Sequence, residues 1–377
     1  MKITTYPRIK ELPPACLALM EKAGADCFFL SPDWFKTLES HGLAPGQHPR
    51  YYVVSDKTSN QPLCILPMLL EAPGTLLSPR RLQSFSSFYS MDFGPIGDFT
   101  SPRANAALEF LAKSLLAERP AFDGSAFDII DIRMLTEGEE MPDKIQAAFK
   151  KAGAVTDLYF QFDNWVHKVE GQSAEAYYAE RPSRLKNTIK RKRKKFEEAH
   201  KLSFLLVNSE ENLARAIADY QAIYAKSWKD GEAFPDFIPT LMKSCSQAGI
   251  LRLGVIYADD KPAAAQLWMI YGKTAMIYKL AYDEDYAALS AGSILSKHMM
   301  DYAIDVDKVE ILDYGVGNDG YKRDWMTTRR RKIGFLAYNR TLRGFMAGAR
   351  HFMGQKIRRL TAPARPAETS PAETVAE

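Results

Sequence analysis

Cysteine is scarce in this 377-residue chain: Cys16, Cys27, Cys64 and Cys245 stand far apart, with no C-x-x-C. That excludes a disulfide framework and a cysteine zinc site, and it fits buried free thiols in a reducing compartment. Histidine is also rare. His41, His48, His167, His200, His298 and His351 fall in no H-E-x-x-H or similar spacing, so no metal is read from the chain. No window approaches the roughly 20 apolar residues of a membrane span, and the stretch from Met1 to Arg8 lacks the apolar core of a signal peptide. The expected location is cytoplasmic. There is no G-x-S-x-G elbow and no Walker lysine. A large excess of one charge is missing too: 50 Lys and Arg face 46 Asp and Glu, for a net +4. Such a balance does not by itself argue for nucleic acid.

What is present is a folded globular chain, 46% hydrophobic and 11% aromatic, long enough for two domains. Ser31-Pro32 reads as a helix start, with a cap followed by proline at the first helical position. Residues 51–55 and 63–70 read as a hairpin. Helices are expected over 102–118 and 142–152, with a strand at 127–132 between them. The second half repeats the theme. Helices are expected over 208–229 and 235–247, and strands over 251–258, 263–270 and 275–281. A helix over 293–304 and a strand over 309–312 follow. The parallel between the halves is architectural, without a residue-level repeat. After Arg359 the chain is rich in Ala, Pro, Glu and Thr and reads as a disordered tail. The stretch before it, 342–360, reads as a basic amphipathic helix.

Four features carry chemistry. The strand at 309–312 delivers Asp313-Tyr314-Gly315-Val316-Gly317, and Tyr321-Lys322-Arg323-Asp324-Trp325 follows. Loops at strand ends are where scaffolds place function, and glycines there let backbone approach a ligand. The bland alternative is a tight turn with a surface lysine. Ser290-Ala291-Gly292-Ser293 opens a helix with small residues, which suits a phosphate on the free N–H groups or is an ordinary Ser-capped start. Arg184 to Lys195 is dense in cations, including Arg191, with Leu185, Ile189 and Phe196 on one helical face. This run would neutralise nucleic-acid phosphates, touch an anionic membrane or line a cleft for an acidic substrate, or it is simply a solvated helix face. No aromatics are interleaved for base stacking. Asp92, between Met91 and Phe93, is either a carboxylate tuned for base work or an Asx-turn residue.

The order of a basic helix, a three-strand meander, a Ser-Ala-Gly-Ser helix start and Asp-x-x-x-Gly-x-x-x-Tyr-Lys-x-x-Trp resembles the FemAB-like and CelD-like branch of the GNAT acyltransferase superfamily. The resemblance spans about residues 25–340 and is most specific at Asp313, Gly317, Tyr321, Lys322 and Trp325. It implies an α+β fold of two tandem GNAT-like units, mixed sheets flanked by helices, with the first unit degenerate. The expected division is 1–165, a basic connection at 166–205, a C-terminal unit at 206–340, and a basic helix with tail at 341–377.

The resemblance implies transfer of an acyl group, acetyl first, from acyl-CoA to an amine of an envelope- or polysaccharide-related acceptor. The donor would be held at Ser290, Ala291, Gly292 and Ser293, although the usual Gln/Arg-x-x-Gly-x-Gly/Ala form is reduced here to Gly292. A splayed strand within 275–281 would hold the carbonyl. Asp313 or Asp92 would act as base, Lys322 would stabilise an oxyanion or a donor phosphate, and Tyr321 would protonate the leaving thiolate. Arg184, Arg191 and Trp325 would bind an anionic acceptor. Two rivals stand beside this reading: an aminoacyl-tRNA-dependent Fem-type peptidyltransferase, and a non-catalytic nucleic-acid or membrane-surface protein on the same fold. The oligomeric state is left open.

Overall fold

The computed structural model describes residues 1–71, 78–118 and 127–361. The strands are β1 (Lys2–Tyr6), β2 (Gln47–Ser55), β3 (Pro62–Glu71), β4 (Arg81–Ser84), β5 (Ile129–Thr136), β6 (Val155–Lys168), β7 (Leu202–Val207), β8 (Leu251–Ala258), β9 (Lys261–Tyr271), β10 (Thr274–Tyr282), β11 (Ile311–Val316) and β12 (Thr328–Tyr338). The helices are α1 (Pro14–Asp26), α2 (Pro32–His41), α3 (Pro102–Ala117), α4 (Glu140–Lys151), α5 (Ala174–Ala179), α6 (Ser183–Ala199), α7 (Leu213–Ala225), α8 (Phe237–Gln247), α9 (Ala291–Asp305), α10 (Lys322–Trp325) and α11 (Leu342–Thr361).

Among the described residues all twelve strands join one sheet, in the order β1-β2-β3-β4-β5-β12-β6-β11-β10-β9-β8-β7. The order is symmetric about its middle. Each half is a run of antiparallel strands ending in one parallel pair, β4 with β5 and β10 with β11. Each half then lends its last strand to the other: β6 lies against β11, and β12 lies against β5. The two lent strands pair over eleven registered positions from Thr328↔Val166 to Tyr338↔Val155, so the units expected from sequence share a continuous hydrogen-bonded seam.

Local chemistry explains the meander. Asp259 and Asp260 (φ 48° and 65°) and Gly272 and Lys273 (φ 49° and 60°) form two-residue turns with both φ values positive, the type that matches strand twist. A Cβ on Gly272 would lie 2.6 Å from the Asp26 carbonyl oxygen, so that turn requires glycine. Ser31 caps α2 through a bond from Trp34 N–H (3.1 Å), as the sequence indicates. One apolar core joins α1 to α4, α7 and α8 to the sheet around Phe29, Trp34, Phe35 and Phe149. A second packs α5, α6 and α9 around Trp268, Leu312 and Trp325, and includes Leu185, Ile189 and Phe196 of the basic helix.

Several sequence expectations change. β6 and β12 are absent from the sequence reading, although Leu158, Phe160 and Phe162 alternate with polar residues in β6; in β12 the run Arg329 to Lys332 hides the alternation. The helix expected over 208–229 is shorter: α7 ends at Ala225, and Trp228-Lys229-Asp230-Gly231 is loop. The strand expected over 309–312 runs later as β11, so Asp313 lies inside it and not at its end. The tail expected after Arg359 falls, from residue 362, outside the described residues.

Candidate active site

The parallel pair β10 and β11 holds for three registered positions, ending at Met276↔Asp313. Beyond that the strands part. β10 bulges at Tyr278, between Ile277 and Lys279. β11 turns at Gly315 (φ 63°) and meets β6 again at Val316↔Asn164. Backbone groups of β10 past Met276 therefore lose β11 as a partner. The gap lies within the span 275–281 picked out from sequence and opens into a cleft of about 780 Å³.

Helix α9 starts at the side of this cleft. Its cap residue Ser290 is in the left-handed region (φ 56°) and makes no side-chain cap bond. The N–H groups that open a helix have no acceptor inside it, which makes an uncapped start a receptor for anions. The first turn is locked from behind. Gln266 Nε2 donates to Gly292 O (2.9 Å) and to Ser296 Oγ (2.8 Å), Ser296 Oγ donates to Gly292 O (3.0 Å), and Trp268 Nε1 holds Gln266 Oε1 (3.0 Å). Gly292 and Ser293 line the cleft, whereas Ala291 is buried in the second core.

Three lysines converge on the gap. Lys322, its side chain only 5% exposed, donates to Val316 O, pairs with Asp319 (3.2 Å) and lies 5.7 Å from the Tyr314 ring centre. Burial pulls its ammonium below the ordinary lysine range, against the pull of Asp319. Lys229 donates to Leu280 O (2.5 Å) on the opened edge of β10. Burial, then the charge of Lys279, lowers its pKa from 10.5 to about 8. Lys279 is neutralised by Glu232 (2.8 Å), which also accepts from Tyr89 OH (2.7 Å). Trp228 and Tyr282 pack along the wall with ring centres 4.4 Å apart and planes tilted by 33°.

The structure gathers Lys322, Tyr321, Trp325, Gly292, Ser293 and Arg184 around this cleft. Tyr321 stands half exposed at the mouth. Trp325 is buried, and its carbonyl is fixed by Tyr177 OH (2.7 Å) and Arg181 Nη1 (3.0 Å). Arg184 forks onto Asp324 at 3.0 and 2.8 Å. Arg191, two turns further along α6, is exposed and outside the cleft lining.

The two carboxylates lie outside the lining as well. Asp313 is buried and accepts from Asn164 Nδ2 (2.6 Å), Gly315 N–H (2.8 Å) and Arg330 Nη2 (2.6 Å). Asp92 pairs with the buried Lys332 (2.7 Å). Sequence reasoning missed Lys229, Lys279, Gln266 and Ser296. Only Lys229 carried a local signal: Trp-Lys-Asp-Gly is turn chemistry that breaks the expected helix. Among the described residues no cluster of His, Cys, Asp and Glu could hold a metal, and no helix is long and apolar enough to cross a membrane.

The arrangement defines a class. Residues 183–323, which contain the gap, α9 and Lys322, match the family described as acetyltransferase (GNAT) domain. Among solved structures the chain is similar to that of FemX, at 11% identity over 96% of this chain and 100% of the other, with a TM-score of 0.59. It is similar to a conserved protein of unknown function from Bacteroides thetaiotaomicron VPI-5482 at 9% identity, 90% and 100% coverage and a TM-score of 0.55. A tandem GNAT protein from the clavulanic acid biosynthesis pathway aligns at 11% identity over 90% and 100% with a TM-score of 0.50. At these identities the likeness is one of fold, and the fold is two tandem GNAT units in the FemAB-like manner. No curated protein matches the chain by sequence.

Proposed function

We propose that the protein is an N-acyltransferase that takes an acyl thioester, acetyl-CoA first, between β10 and β11 and passes the acyl group to the amine of an anionic, envelope- or polysaccharide-related acceptor. The observation that supports this reading is the gap after Met276↔Asp313, which opens beside the uncapped start of α9. The amine nitrogen attacks the thioester carbonyl, a C–N bond forms and the C–S bond breaks. The amine proton must leave, and the sulfur must take one up. With Asp313 and Asp92 committed to Arg330 and Lys332, Lys229 is the better base: a lysine near 8 is partly neutral at working pH. Asp313 then acts as a positioning residue that holds the opening of the gap. Lys322 has three N–H donors, two of them taken by Val316 O and Asp319. The third is available to the carbonyl oxygen as it gains charge, or to a donor phosphate. Tyr321 would return a proton to the leaving sulfur.

Thermal unfolding with excess acetyl-CoA and with longer acyl-CoAs tests the donor. Binding at 100 times Kd should stabilise by about 2.7 kcal/mol, and Lys322→Ala should reduce the shift. No shift with any acyl-CoA overturns the thioester reading. A second donor is favoured by one observation: α6 exposes Lys190, Arg191, Lys194 and Lys195 on a helix that borders the cleft through Arg184 and Thr188. This is a surface for the phosphates of an aminoacyl-tRNA. Binding of tRNA that falls steeply with salt, in a protein silent to acyl-CoA, would establish it.

A further inference from the structure

Helix α11 is amphipathic the wrong way round. It docks on the sheet through small and polar residues and through Phe352, whose ring meets that of Tyr338 edge-on. A Cβ on Gly348 would lie 3.2 Å from the Tyr338 ring, and one on Gly344 would lie 2.3 Å from the Asn339 carbonyl oxygen. His351 and Gln355 bond Asp157 of β6 at 2.7 and 2.6 Å. Thr341 Oγ1 receives Gly344 N–H (2.9 Å) and starts the helix. The large apolar side chains point away from the protein: Leu342, Phe345, Met346, Met353 and Ile357 are 59% to 77% exposed. Their spacing of three, one, seven and four places all five on one face of a helix with 3.6 residues per turn. A monomer in water gains nothing from this arrangement, and contiguous exposed apolar patches mark interaction surfaces.

The charge on the helix identifies the partner. Leu342–Thr361 contains Arg343, Arg350, Lys356, Arg358 and Arg359 and no Asp or Glu. Arg350 is exposed beside the apolar face. A second copy docked face to face would bring like charges together, because the exposed Arg350 and Lys356 border or lie on that face. A surface that is apolar beneath and anionic on top satisfies both halves of the pattern, and that is the headgroup layer of an anionic lipid bilayer. We propose that α11 is a membrane-surface helix that seats the protein on anionic lipid with Phe345, Met346, Met353 and Ile357 in the acyl boundary and the cations among the headgroups.

The position of the helix gives this a use. The hollow flanking α11 shares Arg81 with a central groove, and that groove shares Phe88 and Val316 with the lysine cleft. A continuous surface therefore runs from the lipid-facing helix to the gap between β10 and β11. The seating does not depend on which donor the cleft takes.

The test is flotation of the full chain with vesicles of phosphatidylcholine alone and of phosphatidylcholine with an equal share of phosphatidylglycerol. The wild type should float with the anionic vesicles and stay behind with the neutral ones. Phe345→Glu combined with Met353→Glu should lower binding more than tenfold. Arg350→Gln should lower it about fivefold, the factor expected for one cation at an anionic surface. Both variants should unfold at the wild-type temperature, because the replaced side chains are exposed. Failure of the wild type to bind anionic vesicles overturns the proposal, and equal binding of the double variant does the same. A third overturning result is a wild-type dimer in sedimentation that the double variant breaks, which would mean that a second copy covers the face.

Discussion

The two halves use one plan with opposite results at the parallel pair. In the N-terminal half β4 and β5 pair over three positions ending at Gln83↔Asp131; in the C-terminal half β10 and β11 pair over three ending at Met276↔Asp313. Each pair thus ends on an aspartate. Asp131 lies across from Leu336, and Tyr159, two residues past the partner of Leu336, reaches back to it at 2.7 Å. Asp313 lies across from Val166, and Arg330, two residues past the partner of Val166, reaches back at 2.6 Å. The acid is retained in a half where Arg81, Arg133 and Tyr159 take it up at the wall of the central groove. This aspartate therefore belongs to the framework that opens the pair, and chemistry depends on what is added around it. The added parts are found on one side only. Helix α3 begins Ser101-Pro102-Arg103, with Ser101 Oγ capping Arg103 N–H at 3.2 Å and Arg103 bound to Asp56. Helix α9 begins Ser290-Ala291-Gly292 and is uncapped.

The largest effect should come from the group with no counterpart in the first half. Lys229→Met should lower acyl transfer by about 10²- to 10⁴-fold, the usual contribution of a positioned base, with the fold intact by circular dichroism. In the wild type kcat/KM should rise with pH through about 8 and level above it, because deprotonation makes the base; the variant should lose that limb. The folded pKa of Lys229 lies below the ordinary 10.5, so the unfolded chain binds more protons between the two values and wild-type stability rises with pH across that window. The stability of Lys229→Met relative to wild type should therefore fall between pH 8 and 10.5. A flat difference would mean that Lys229 titrates normally and is not the base.

Next in size is the seam. Arg330→Ala leaves Asp313 buried with its charge half answered and should cost about 3 kcal/mol in urea unfolding. The mirror change, Tyr159→Phe, leaves Asp131 with Arg81 and Arg133 and should cost about 1 kcal/mol. Equal losses would show that the two aspartates are held alike.

Much of the C-terminal half was legible in the sequence because its signals are local. The meander strands, their turns at Asp259-Asp260 and Gly272-Lys273, the Ser290 to Ser293 helix start and the Tyr321-Lys322 pair each follow from residues within a few positions. The exchange of β6 and β12 was not legible. Partner choice across about 170 residues leaves no periodic mark, and the polar groups of those strands (Asp157, Asn164, Arg330, Lys332) bind α11, Asp313, Asp92 and one another rather than line an apolar face. Gln266 and Lys279 were hidden too: their partners Gly292 and Glu232 lie 26 and 47 residues away. Asp313 and Asp92 stood out because a carboxylate among apolar residues draws notice, but only the fold brings Arg330 and Lys332 to them.

The smallest effects test the helix starts directly. Ser101→Ala removes the cap of α3 and should cost about 1 kcal/mol with donor affinity unchanged. Gly292→Ala should behave in the opposite way. A Cβ there meets Tyr282 Cδ1 at 3.5 Å, ordinary contact, and alanine favours helix over glycine by up to about 1 kcal/mol, so the fold should hold or gain slightly. The methyl group would stand where a donor phosphate must approach the first-turn N–H groups, and acyl-CoA affinity should fall about tenfold, roughly 1.4 kcal/mol. Calorimetric titration beside thermal unfolding separates the two quantities. A loss of affinity with stability kept assigns the open start of α9 to the donor. Unchanged affinity would move the donor away from α9 and leave the contrast between the two helix starts without a function.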